Sequence, residues 1–137
     1  MEQVLDASVA IGWCAPAQAT PLTRAALVAV NADGAEVPAP FFFEVIYGLE
    51  KQVQRNAITR EHFEWFLRSL PTLPISVSAG HTSSQMIELY ELARRHRLSI
   101  FDAAYLELAM RRNLPLATRD RALARAATEA GVPLFQP

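Results

Sequence analysis

A chain of 137 residues with 51% hydrophobic and 20% charged residues has the size and composition of one ordinary soluble domain. It buries roughly two-thirds of its unfolded surface and is too short for two independent cores. The single cysteine, Cys14, excludes an internal disulfide framework and fits a reducing cytosol, and a formal net charge of -1 excludes nucleic-acid binding driven by bulk charge while leaving local basic patches open.

In chain order, the N-terminal "MEQVLDASV" has no basic region followed by a long apolar run. No later segment approaches the roughly 20 apolar residues of a membrane span, so the protein is expected to be cytoplasmic and free of the membrane. The apolar run "QVLDAS" predicts a first strand. Thr20-Pro21 supplies a hydroxyl N-cap with Pro at the first helical position, so "LTRAALVAVNADG" predicts a helix running to a Gly stop. "AEVPAP" follows as a short second strand, and "FFFEVIYGLEKQVQRNA" has its apolar residues at helical spacing. Thr59, with Glu61 and His62, opens the helix "REHFEWFLRSL", closed before Pro71, and "LPISVS" predicts strand three. "SSQMIELYELARRHRL" predicts a helix whose basic last turn suits the helix dipole. Ser99 caps the helix "IFDAAYLELAMRRN", "LPLATRD" predicts a strand running into a turn, "RALARAATEA" a helix closed by Gly131, and "VPLFQ" a last strand. The alternation predicts an α/β fold with a mainly parallel central sheet flanked by helices, one domain over residues 1–137 with no repeat or linker.

The chemistry lies in four carboxylates. Asp102 stands in the apolar stretch "SIFDAAYLELAM", and an isolated ionised carboxylate out of water is so costly that it must protonate, pair or bind a metal. Asp6 ends the first predicted strand and Asp120 follows "LPLAT", at the carboxyl ends of strands, where open α/β sheets gather functional groups. Glu44 sits among Phe41, Phe42, Phe43, Val45 and Ile46 in the first turns of a helix. A hard cation such as Mg2+ or Mn2+ prefers a set of oxygen ligands of this kind.

The blocks "LDASVAIGW", "PAPFFFEVIYGLEK" and "LSIFDAAYLELAMRRNLPLATRD", with their order Asp, Glu, Asp, Asp, resemble the PIN-domain ribonucleases and within them the VapC-like toxins of toxin-antitoxin pairs. The resemblance covers nearly the whole chain. It implies a PIN-like fold and a metal site built from Asp6, Glu44, Asp102 and Asp120, with Ser8 and Thr118 as nearby hydroxyls. Such a site holds one or two Mg2+ or Mn2+ ions that ionise water and hydrolyse an RNA phosphodiester. The resemblance further implies a second copy of the chain and a small antitoxin lying across the acidic groove. Two departures stand out: Tyr47 occupies a position that often carries Asn in relatives, and no acidic residue follows shortly after Trp13.

The remaining polar residues carry plainer expectations. Asp120 suits an N-cap for "RALARAATEA", which is compatible with metal binding. Glu50, Glu88, Glu91 and Glu107 are read as solvated helix-face charges, and His62, His81 and His96 show no ligand spacing. Arg111, Arg112, Arg119, Arg121 and Arg125 flank the third and fourth acidic residues and suggest either a basic rim for RNA phosphates or plain dipole matching. Of Phe63, Trp65 and Phe66, with Trp13, at least one ring is expected outside so small a core; Trp65 is the expected partner contact. Two rival classes are a receiver-like phospho-accepting domain and a non-catalytic PIN interaction module. The receiver needs a Lys at a late strand end, where this chain has Arg119; its one lysine, Lys51, lies within a helix.

Overall fold

The computed structural model describes all 137 residues. Its sheet consists of β1 (Gln3–Leu5), β2 (Ala35–Val37), β3 (Ile75–Val77) and β4 (Leu116–Ala117), in the order β3-β2-β1-β4 with every pair parallel. Val4 is the shared rung, opposite Glu36 on one side and Leu116 on the other. β1, inside the sheet, and β4, at the edge opposite β3, are covered on both faces: every residue of the two is buried. That burial explains why they read as unbroken apolar runs rather than alternating ones. β3, at the sheet edge, is largely exposed.

The chain runs outward from β1 to β2 to β3 and then returns to lay β4 on the far side of β1. With right-handed crossovers, the outward and returning helices fall on opposite faces. The strand order reverses at β1, which opens a crevice beyond the carboxyl ends of β1 and β4.

Seven helices surround the sheet: α1 (Ala7–Cys14), α2 (Pro21–Asp33), α3 (Phe41–Gln54), α4 (Arg60–Ser69), α5 (Met86–His96), α6 (Ile100–Arg112) and α7 (Arg121–Glu129). The predicted caps form. Thr20 and Thr23 close a reciprocal capping box on α2, Thr59 accepts from the His62 N–H, and Ser99 Oγ accepts from the Asp102 N–H. Gly34 ends α2 with φ of 86°, a left-handed value that glycine adopts without strain. α1 has no counterpart in the sequence reading. It buries Ala7, Val9, Ala10, Gly12 and Cys14 around much of its circumference, so no one-sided apolar stripe betrays it.

Three boundaries differ from expectation. Ser83–Gln85 forms a separate 3-10 turn ahead of α5, and Pro71 sits inside a 3-10 turn, Leu70–Thr72, rather than simply ending α4. "VPLFQ" makes only an isolated parallel bridge, Leu116 with Leu134, since Pro133 has no N–H to extend a ladder.

The core joins Val4, Leu5, Val37, Phe41, Leu49, Tyr105, Leu106, Leu108, Leu116 and Leu123, all fully buried. α3 lies close on α1: a Cβ at Gly48 would stand 2.5 Å from Ile11 Cδ1. This close approach brings one face of α3 to the mouth of the β1/β4 crevice. No helix is long and apolar enough to cross a membrane.

Candidate functional site

Asp6 leaves β1 at its carboxyl end and is 4% exposed. Its backbone N–H donates to Ala117 O at 3.0 Å, which ties the ends of β1 and β4 together. Although it occupies the N-cap of α1, its side chain makes no capping bond. Instead Ser8 Oγ (2.6 Å) and Thr118 Oγ1 (2.8 Å) both donate to its Oδ2. The two hydroxyls are themselves held by backbone donors, Arg119 N–H to Ser8 Oγ and Asp120 N–H to Thr118 Oγ1, each at 3.0 Å. Ser8 and Thr118 therefore fix the orientation of Asp6 by a network that runs through both strand ends.

Asp120 caps α7 as its sequence suggests, with Oδ1 accepting from the N–H groups of Ala122 (2.8 Å) and Leu123 (3.2 Å). Glu44, in the first turn of α3, accepts at Oε1 from the Tyr105 hydroxyl at 2.7 Å. Tyr105 belongs to α6 and is fully buried, so this bond ties α3 to α6. Asp102 sits in the first turn of α6, where its backbone N–H is taken by Ser99. Asp6, Glu44 and Asp120 are thus each held through one oxygen.

The four carboxylates line one cleft of about 270 Å3, shared with Ser8, Ile11, Tyr47, Gly48 and Lys51. None of the four belongs to an ion pair. Burial pushes Asp102 up to about 7, with the charges of Asp120, Asp6 and Glu44 adding to the rise. Burial also raises Asp6 against the opposing hydroxyls of Ser8 and Thr118, and raises Glu44 against the Tyr105 bond, with Asp6 adding. The Tyr105 phenol is driven far up by burial and by the charges of Asp6 and Glu44, so it stays a proton donor. The partners of Asp102 are therefore like charges, and a cleft of this kind is relieved by a cation or by protons.

The convergence is looser than the sequence suggests. No group of three His, Cys, Asp or Glu side chains is drawn close enough to hold a metal ion by itself. Four carboxylates in mutual repulsion have no reason to close up without a counter-charge. The donor set nevertheless fits Mg2+ or Mn2+, because a hard ion takes oxygen ligands and is commonly bound through one or two carboxylates with water and substrate phosphate completing its shell.

Elsewhere the structure redistributes the polar residues. The arginine rim is largely consumed: Arg111 pairs with Glu107, Arg112 with Glu36, Arg119 with Gln18, and Arg125 with His96 O and Glu129. Lys51, within α3 as expected, is the cation that lines the acidic cleft. It stands seven residues after Glu44, two helical turns along the same face, which is the signal that would have found it. Glu50 makes a two-pronged pair with Arg60. Glu107 is not a free surface charge, because His81 Nε2 lies 2.7 Å from its Oε1 and Arg111 Nε donates to its Oε2 at 2.9 Å. His62 bonds Cys14 O and His96 bonds Glu129, so none of the three histidines lines the cleft. Phe63 and Phe66 are core, whereas Trp65 is 56% exposed, as expected for that ring.

The chain matches the model described as the PIN domain over residues 4–129, a span containing all four carboxylates. No curated protein matches it in sequence. Among solved structures it is similar to the crystal structure of PAE2754 from Pyrobaculum aerophilum, with a TM-score of 0.71 and 17% identity over 92% of this chain and 84% of that one. At that identity the likeness speaks for the fold alone, and the fold agrees with the family match. The chain therefore belongs to the PIN-domain family, whose members are generally nucleases that use divalent metal ions.

Proposed function

We propose that this protein is a Mg2+-dependent endoribonuclease that cleaves RNA phosphodiesters, and that it acts in the cytoplasm as a VapC-like toxin neutralised by a cognate antitoxin. The observation that carries the nuclease reading is the cleft in which Asp6, Glu44, Asp102 and Asp120 meet with no ion pair among them, Asp102 being pushed up to about 7 by burial and the other three charges.

In this reading the four carboxylates hold the metal, with Mn2+ as the alternative ion. When bound, such an ion would supply Lewis acidity, which would favour ionisation of water and counter the negative charge on the phosphate. The chain's own residues provide position. Ser8 and Thr118 hold Asp6 from one side, the start of α7 holds Asp120, and Tyr105 holds Glu44. Such bonds fix ligand orientation, which second-shell partners of metal sites commonly do. The exposed Trp65, in a shallow recess with Trp13 and Leu73, is the surface assigned to a second copy of the chain in a homodimer, while the antitoxin covers the acidic cleft.

Incubating the purified chain with RNA in Mg2+ and in excess chelator tests the nuclease. Cleavage in Mg2+ that is lost with chelator supports it, and cleavage that ignores the chelator overturns it. Induction of the wild-type chain alone should arrest growth and Asp6→Asn should relieve the arrest; equal growth of the two strains overturns the toxin role.

A further inference from the structure

Beside the acidic cleft lies a second recess of about 390 Å3, lined by Pro40, Phe43, Glu44, Tyr47 and Phe101. Its three rings are open to solvent: Phe43 is 77%, Tyr47 64% and Phe101 55% exposed. Rings of this size are rarely left so bare without a use. Their placement follows from the chain itself. Phe43 and Tyr47 stand four residues apart on one face of α3, Phe43 adjoins Glu44, and Phe101 adjoins Asp102. Glu44 and Tyr47 line both recesses, so the aromatic surface runs into the acidic one. Lys51 Nζ lies 4.3 Å from the centre of the Tyr47 ring and lines the acidic cleft as well.

We infer that Phe43, Tyr47 and Phe101 form a stacking platform for an unpaired base of the RNA next to the bond being cut, with Lys51 as the cation for its phosphate. The inference rests on the nuclease reading above and adds to it which side chains of this chain receive the base and its phosphate. A nucleotide is a flat apolar ring joined to an anion, and this surface offers flat rings in contact with one ammonium group. A base inside a duplex has both faces covered by its neighbours, so the platform accepts only an unstacked one. The rings offer stacking faces with few polar groups to read a base edge, so preference among bases is weak. The alternative occupant, a second copy of this chain, explains bare rings equally well. It does not explain their merging with the acidic cleft through Glu44 and Tyr47, nor the cation set over one of them.

The test is fluorescence anisotropy with a labelled seven-nucleotide single-stranded RNA in Ca2+, which takes the oxygen ligands of a Mg2+ site, with gels confirming that the probe stays intact. Sedimentation and RNA cleavage in Mg2+ are measured in parallel. Phe43→Ala, Tyr47→Ala and Phe101→Ala alter exposed rings and should keep the fold, as circular dichroism checks. Each should weaken binding by about five- to 150-fold, the range of one base–aromatic stack, and raise KM for cleavage with little change in kcat. Tyr47→Phe and Phe101→Tyr should bind as wild type. Lys51→Gln should weaken binding to every single-stranded sequence alike and lower the salt dependence by about one phosphate contact. A double-stranded probe should be indifferent to all of these. Unchanged affinity in the alanine variants overturns the platform, and so does a loss of affinity that appears only with dissociation of a dimer. Cleavage by wild type with KM unmoved in the variants sinks the platform and leaves the nuclease standing. Binding that depends on the rings without any cleavage does the reverse.

Discussion

Two recesses of this molecule are rich in carboxylates, and they are handled in opposite ways. The larger, about 570 Å3 between α5, α6 and the segment before them, holds Glu88, Glu91 and Glu107 together with His81, Arg95 and Arg111. There Glu107 is answered within the protein, by His81 at 2.7 Å and Arg111 at 2.9 Å, and Arg111 reaches on to Ser78. The smaller, beyond β1 and β4, holds four carboxylates, three of them answered by hydroxyl or N–H donors and none by an ion pair. A carboxylate whose counter-charge lies in the chain is a structural element. One whose counter-charge is missing from the chain is a place for a cation or a proton. Glu88 and Glu91 are exposed and left to water, so what separates the two recesses is their part-buried carboxylates: Glu107 has partners of opposite charge and Asp6, Glu44 and Asp102 have none.

The sharpest way to break this contrast is to neutralise one carboxylate in each recess. Asp6→Asn or Asp102→Asn should lower Mg2+-dependent RNA cleavage by at least about a hundredfold, because a metal's charge stabilisation is worth several kcal/mol. Glu107→Gln should leave the rate close to wild type. Initial rates on one RNA decide it, and equal losses at both recesses would erase the distinction.

Thermal melting in EDTA and in Mg2+ comes next in size. Wild type should gain about 2.7 kcal/mol when the ion stands at a hundred times its Kd. Asp102→Asn should melt higher than wild type in EDTA, since a repelled charge is gone, and gain much less from Mg2+. Glu107→Gln should melt lower in EDTA and keep the full response to Mg2+. A wild type indifferent to Mg2+, with Asp102→Asn melting lower in EDTA, would make Asp102 an ordinary structural carboxylate.

A pH series without metal sharpens the same point. The folded protein holds Asp102 at about 7 against an ordinary value of 3.8. Between those values the folded state binds the extra proton, so stability is greatest below about pH 4 for this group and falls as pH rises toward 7. Asp102→Asn should flatten that fall, as denaturant unfolding at each pH would show. A wild type whose stability is level across this window contradicts the crowding of charge in the cleft.

The smallest effect belongs to the paired recess. His81→Ala removes one partner of a part-exposed pair and should cost no more than about 1 kcal/mol. Hydrogen exchange should quicken in residues 78–85 and leave the ends of β1 and β4 unchanged. Faster exchange at Asp6 or Thr118 would mean that the two recesses are coupled.

Much of this was legible before the fold was known. Asp102 in "SIFDAAY" announces itself, because a charge in an apolar run demands an explanation from residues not adjacent in sequence. Asp6 and Asp120 are legible as strand-end acids, and Thr20, Thr59, Ser99 and Asp120 as caps, because caps are local chemistry. α1 was not legible, since a helix buried around much of its circumference carries no one-sided stripe. Neither was the last segment, where a single Pro turns an apolar run into one isolated bridge.

By itself, then, the sequence determined the order of the elements from α2 to α7, the parallel sheet, the capped helix starts and the four acidic residues as candidates, all of which depend on periodicity, caps and the cost of charge in apolar surroundings. Only the tertiary structure decided who faces whom. It tied Glu107 to His81 across 26 positions, withdrew most of the arginine rim into pairs, and brought Lys51 and the rings of Phe43, Tyr47 and Phe101 to the edge of the acidic cleft. The physical reason is that pairing and repulsion between charges fall off over a few ångströms, so they depend on distances in space that composition, spacing and local propensity leave undetermined.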